Sequence, residues 1–385
     1  MTRARTHTLV ALALSLFLAV PARAALPPLV PRDVLFAEPE QDAPTLSPDG
    51  KWLAWAKRGS DGLANLWVRA LDRDTTWQVT RDSTRGVPEG FWTGDSRGLM
   101  FLRDHDGDEN NHLLRVEVAS GTTRDLTPFP GVQVASVHTD PHHPGSVLVG
   151  MNRRDPKVFD IERVDLATGA VSLDTENPGD VVDWTTDDDF HVRACTALRA
   201  ADGATLLRVR DSVGAPWRTI ADWSLEEAGF DRAPKILGFL DPGTLLVQSW
   251  AGSNTSRLVT MATADGRVKE VLAQDPRCDV WNLIGAQLNL VPQLLRSPDG
   301  SRVRAVGFEL LRPEWRVLDR SVQPDFTALT ALAGDATLSI LETDAKDRRW
   351  LVGFFGDRDR GRYVVWDRAS HKATPLFEAA PALKK

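Results

Sequence analysis

The chain has 385 residues, 42% of them hydrophobic, a net charge of −7 and only two cysteines, Cys195 and Cys278. That is apolar material for a sizeable core, while the acidic balance excludes an electrostatic hold on nucleic acid or on an anionic membrane surface. Two cysteines exclude a disulfide-built scaffold; they either pair in an oxidising compartment or stay as small buried residues.

Residues 1–24 read as a secretory signal peptide. Arg3, Arg5 and His7 make a basic start, Leu9 to Val20 is apolar apart from Ser15, and Ala22-Arg23-Ala24 is a small-x-small cleavage site. The apolar run is shorter than the ~20 residues a membrane span takes, so the expectation is a periplasmic or secreted protein without an anchor. Residues 25–41 are a lead-in to a long repetitive region.

From residue 42 to about 380 one phrase recurs, a polar turn followed at once by a short apolar strand. Ser47-Pro48-Asp49-Gly50 leads into Trp52 to Ala56, and Ser297-Pro298-Asp299-Gly300 leads into Val303 onward; Thr93-Gly94-Asp95-Ser96-Arg97-Gly98 is a looser copy before Leu99. The first unit continues with strands at Asn65 to Arg69 and Thr76 to Thr80, the second with His112 to Val118 and Thr123 to Thr127. Later units are marked by Ser146 to Met151 and Ile161 to Leu166, by Val181 to Ile220, by Thr244 to Ser249 and Arg257 to Ala262, by Val303 to Leu311, and by Trp350 to Phe355 and Arg362 to Trp366. Period-2 runs between Gly, Asp, Pro and Ser turns define antiparallel meanders. Seven of them, each about 48 residues long, predict an all-β fold, a β-propeller of seven four-stranded blades, with six or eight also compatible with the diverged middle units. Ser224 to Ala228 and Asp325 to Ala333 read as short helical or irregular insertions. The 13 tryptophans against one tyrosine suit large rings packed between sheets.

Several phrases together resemble the propeller of the prolyl oligopeptidase family of serine peptidases. They are Ser47 to Lys51, Asp104-His105-Asp106-Gly107-Asp108-Glu109-Asn110, Asn152-Arg153-Arg154-Asp155-Pro156 with Asp160 to Gly169, and Asp357 to Asp367. In that family an α/β-hydrolase domain follows the propeller, and Leu376-Phe377-Glu378 with Pro381-Ala382-Leu383 resemble the joint, so 381–385 reads as its remnant. The resemblance implies the non-catalytic, substrate-gating part of an exported peptidase, truncated or split before its catalytic domain. The alternative is a stand-alone periplasmic propeller similar to TolB, acting as a protein-binding scaffold.

Ser96 is the one serine in a G-x-S-x-G frame, yet a nucleophile elbow needs a strand before it and a helix after it. Here Leu99 to Leu102 reads as a strand, which makes Ser96 a turn residue and leaves the chain without a catalytic triad. Asp104 to Glu109 fails as an EF-hand because Gly is missing at the sixth position and Glu at the twelfth. Adjacent His142 and His143 lack the spacing of a structural zinc site. No metal or cofactor is expected. The resemblance implies charged propeller groups that hold a peptide terminus; Glu109, Arg153 and Arg154 are the candidates, a carboxylate for an ammonium and arginine forks for a carboxylate. Expected partners are peptide substrates and a catalytic half or another protein. N-terminal sequencing of the protein recovered from its source cells should start at Ala25; a start at Met1 would remove the export expectation.

Overall fold

The computed structural model describes residues 29–73, 75–228, 233–284, 290–357 and 360–384, so the expected signal peptide lies outside them. A short helix, Arg32–Leu35, precedes the β structure. From residue 41 to 378 the described residues form seven antiparallel blades, blade 1 spanning 41–78, blade 2 91–125, blade 3 134–175, blade 4 181–223, blade 5 235–274, blade 6 294–317 and blade 7 337–378, and a separate two-stranded pair, Asn282–Ile284 with Leu290–Pro292, lies between blades 5 and 6 in the chain. Within each blade, strands pair in chain order, and the first strands of blades 1 and 3 to 7 line a central cavity. This is the seven-bladed propeller expected from the repeats.

Packing follows from the alternation within strands, since each sheet presents apolar side chains on both faces and buries them against its two neighbours. Among the described residues there are seven apolar clusters, one for each interface around the ring. Tryptophans act as expected: Trp350 is wholly buried between blades 6 and 7, and Trp52 meets Trp77 edge-on at 5.6 Å. Polar staples run along the outer rim. Arg115 donates to Leu166 O at 3.1 Å, Arg218 to Ala264 O at 2.6 Å, and Arg316 to Gln274 O at 2.7 Å, each joining one blade to the next. Cys195 and Cys278 sit unpaired in separate interfaces, and burial pushes the Cys195 thiol up to about 12.

Blade 6 departs from the expected four strands. It has three, and the helix Gln323–Ala333 follows where the fourth would lie. Pro324 in the first turn suits a helix start, and Val322, Phe326, Leu329 and Ala333 fall at helical spacing, all buried in the cluster between blades 6 and 7. Asp325 is buried too, bonded to Trp366 Nε1 at 2.9 Å and to Arg368. The helix thus supplies the apolar surface and the polar ties that a strand would have given.

Ring closure is the other consequence of chain order. Among the described residues no sheet combines strands from the two ends of the chain, so blade 7 meets blade 1 without a strand ladder, through side chains and single hydrogen bonds to the backbone. Its buried cluster, Leu46, Leu53, Trp55 and Leu351, is the smallest of the seven. Phe326→Ala should lower stability by about 3–5 kcal/mol in urea unfolding followed by tryptophan fluorescence, the range for emptying a packed aromatic site; a cost under ~1 kcal/mol would mean that the helix is not part of the core.

Candidate functional site

The polar phrase that marks the repeats is a four-residue turn with fixed roles. Its first side chain accepts the backbone N–H at the start of the next strand, as Ser47 does from Trp52 at 2.9 Å and Ser297 from Arg302 at 3.0 Å. Its fourth residue has a left-handed backbone, φ 70° at Gly50 and 69° at Gly300, where glycine carries no Cβ penalty. Thr93 to Ser96 superposes its roles on this pattern: Thr93 Oγ1 accepts from Gly98 N at 3.0 Å, and Ser96 takes the glycine place with φ 59°. Ser96 is buried, its hydroxyl accepts from Asp49 N at 3.0 Å, and strand Gly98–Arg103 follows. It is a turn residue linking blades 1 and 2.

Two more copies are not spelled out in the sequence. Asp187 to Phe190 and Asp344 to Asp347 make the same turn, with Asp in place of Ser at the first position and φ 57° and 53° at Phe190 and Asp347. A cavity of about 970 Å³ opens among these turns, with Asp188, Asp299, Asp344 and Glu342 on its wall and Arg296 as a buried cation. Asp187, Asp189 and His191 also come together, but Asp187 already accepts from the backbone of Asp189 and His191 and pairs with Arg193. His143 bonds Asp188 O at 2.9 Å and stacks on Phe190, so the His142-His143 segment joins blades 3 and 4.

The expected site residues lie on the opposite face. Loops between second and third strands alternate with these turns, so the Glu109 loop (104–111) and the blade 3 hairpin at 152–157 share the face from which both ends of the ring emerge. They are also tied together: Gln133 Nε2 donates to Glu109 O at 3.2 Å, and Gln133 N to Asn152 Oδ1 at 2.7 Å. Glu109 is exposed. The arginines are engaged from within. Arg154 forks onto Asp160 at 2.8 and 2.9 Å and bonds Asn177 O, while Arg153 pairs with Glu162 at 2.9 Å and covers the Phe129 ring. Asp160 and Glu162 are 1% and 3% exposed, so the guanidiniums neutralise carboxylates that would otherwise be buried charges. Burial still raises the Glu162 carboxyl, against the pull of Arg153. Asp104 and Asp108, in the acidic loop, serve Arg85 and their own backbone.

The same face opens into a second cavity, about 910 Å³, between blades 3, 4 and 5. Its wall sets apolar side chains, Phe159, Val182, Trp184 and Leu198 among them, beside polar ones such as Ser136, Asn177 and Thr196, and Val182 and Leu198 are unusually exposed for their type. Four titratable groups line it, Lys157, Asp180, Asp183 and Lys235. Burial raises the Asp183 carboxyl, with the Trp184 N–H and Lys235 pulling the other way; burial lowers the Lys235 ammonium, with Asp183 opposing. A hollow that sets apolar side chains beside polar groups of shifted acidity is a common form of small-ligand site. Asp183 and Trp184 line both cavities, which places them midway through the ring. Neither stands out in the sequence, because Val181–Thr186 scans as an ordinary strand; the one available signal is a carboxylate interrupting Val-Val-x-Trp.

Comparison with known proteins places this geometry in a class. No protein-family profile matches the chain. In fold it resembles a prolyl endopeptidase (TM-score 0.58, 12% identity, 89% of this chain and 50% of that one) and a puromycin hydrolase (TM-score 0.58, 16% identity, 90% and 55%). The β-propeller domain of the Trilobed protease from Pyrococcus furiosus, described as having an open velcro topology, is covered over 97% of its length, with 89% of this chain, at TM-score 0.57 and 10% identity. The chain thus resembles the propeller portion of prolyl oligopeptidase-family peptidases. In sequence it is 34% identical over 357 residues to dipeptidyl aminopeptidase BIII of Pseudoxanthomonas mexicana, 92% of this chain and 49% of that protein. Dipeptidyl peptidase family member 6 of Caenorhabditis elegans is 23% identical over 369 residues, 93% and 48%. The chain spans about half the length of the curated relatives it matches. Among the described residues no helix is long and apolar enough to cross a membrane.

Arg154→Ala should lower the midpoint of chemical denaturation, because it leaves the buried Asp160 carboxylate without its partner. Asp160→Asn added to it should restore part of the loss. An unchanged midpoint for Arg154→Ala would free this arginine from a structural duty.

Proposed function

We propose that this chain is the substrate-gating propeller portion of an exported serine peptidase, and that the face carrying Glu109, Arg153, Arg154 and the Asp183 hollow covers a catalytic half. The observation that carries the reading is the 34% identity to dipeptidyl aminopeptidase BIII, which runs through nearly all of this chain and takes in half of that enzyme. In this reading the ring keeps folded proteins from the catalytic serine and admits peptide ends. Glu109 and Asp183 are carboxylates suited to a peptide ammonium, and Trp184, Val182 and Leu198 to an apolar side chain beside it. Ser96 takes no part in hydrolysis, since its hydroxyl is committed to the turn.

The test compares two preparations. The chain expressed by itself should leave a dipeptidyl chromogenic substrate intact and resist labelling by a fluorophosphonate. Protein isolated from the source cells by an antibody to blade 3 should carry a hydrolase segment, fused or bound, and cleave that substrate. Labelling at Ser96, or a native protein without any hydrolase segment, would overturn the proposal.

A further inference from the structure

The seam between blades 7 and 1 is built differently from the rest of the ring. Like the other seams it shares no strand, but it joins blades that do not follow one another in the chain, has the smallest apolar cluster, and links its inner strands, Gln41–Leu46 and Thr337–Thr343, through one carboxyl. Glu342 accepts from Thr45 Oγ1 through both oxygens, at 2.9 and 3.0 Å, and from the Leu46 N–H. Thr45 O in turn accepts from Trp92 Nε1 at 3.2 Å, so blades 7, 1 and 2 are chained through a single residue. At the turn end Ala345 N donates to Pro48 O at 2.8 Å and Arg349 to Gly50 O at 2.5 Å. The neighbouring seam makes its inner link with neutral groups, Ser339 Oγ to Gln293 Oε1 at 2.7 Å.

A carboxyl in this position has two states. Protonated, it is neutral and still accepts both donors; ionised, it is a charge within packed protein. The charged and titratable groups around it are occupied elsewhere. On blade 1, Asp42 meets the Tyr363 hydroxyl of blade 7 and Asp49 serves its own turn. On blade 7, Asp344 is capped by the Arg348 and Arg349 N–H groups, and Arg349 points to Gly50 O. Across the cavity stand His138, Asp140 and His142 of blade 3, Asp183, Asp187 and Asp188 of blade 4, and Asp299 with Arg296 of blade 6. Of these, Arg296 is spent on the carbonyls of Leu237, Phe239 and Gly300. Burial therefore dominates and pushes the Glu342 carboxyl up to about 7, against the Leu46 N–H and the Thr45 hydroxyl. Part of the residue remains accessible from the cavity, which gives the proton a route.

We propose that the seam between blades 1 and 7 is a pH-sensitive closure of the ring with the Glu342 carboxyl as its latch, shut when protonated and loosened when ionised. Because the folded value lies above the ordinary one of 4.5, the carboxyl supports closure fully below the ordinary value, and that support is lost progressively as pH rises to about 7, beyond which no more is lost.

Hydrogen exchange read by mass spectrometry tests this on the chain as it stands. After correction for intrinsic rates, protection in segments 41–57 and 337–352 should fall about tenfold per pH unit from about pH 5 to about 7, the slope of a single proton, and level off above that, while 192–209 in blade 4 keeps its protection. Glu342→Gln should flatten that dependence. The same slope in Glu342→Gln, or an equal loss in blade 4, overturns the proposal. Thr45→Val gives an independent reading: removing the hydroxyl donor should move the pH at which the fall levels off upward, and an unmoved levelling point overturns the latch as well.

Discussion

Everything in this molecule depends on seven sheets, each burying two faces, and therefore on the ring being closed. Six of the interfaces are made between blades that follow one another in the chain, and each is secured by an apolar cluster and rim staples. The seventh joins the two ends of the chain and has least to work with. A strand exchanged between first and last blades would add a ladder of backbone hydrogen bonds there; in its absence Glu342, Thr45, Leu46 and the Trp55–Phe377 contact carry the load. The stability of the whole core is thus coupled to the protonation of one carboxyl on the channel wall.

The two faces of the ring have different chemistry for the same structural reason. On the turn face, aspartates and serines are consumed by repeated turns, so a wall rich in carboxylates has much of its bonding capacity spent on its own backbone. On the opposite face the loops are irregular, arginines hold buried carboxylates in place, and the hollow beside Asp183 has apolar side chains in its wall that no blade covers. The second face is also where Asp183 and Lys235, with shifted acidity, stand beside apolar side chains in one hollow.

The architecture was legible because it is written in local signals: turn residues, period-2 strands and their repetition. Blade 6 shows where such signals stop. Val322, Phe326, Leu329 and Ala333 mark a helix, but nothing local says that it stands in for a strand. Likewise Asp187 and Asp344 make turns that Ser47 and Ser297 announce more clearly, because a carboxylate accepts the same N–H as a hydroxyl without the Ser-Pro-Asp-Gly spelling. Glu109, Arg153 and Arg154 are recognisable in the sequence as charged loop residues, and the structure brings them to one face. Their internal partners, Asp160 and Glu162, are set by the register of one hairpin, and the Asp183 hollow by three blades meeting; neither is visible in a linear string.

Contiguous blades also bear on how such a chain acquires its shape. No strand has to wait for a partner synthesised hundreds of residues later, so each meander has all its backbone partners once its own stretch has left the ribosome. Local pairing keeps loop closure short and limits the time that unpaired edges are exposed to other chains. Only the meeting of Leu46 and Glu342 must wait for the final blade, which makes it the natural last step of assembly and the first place where the ring can give way.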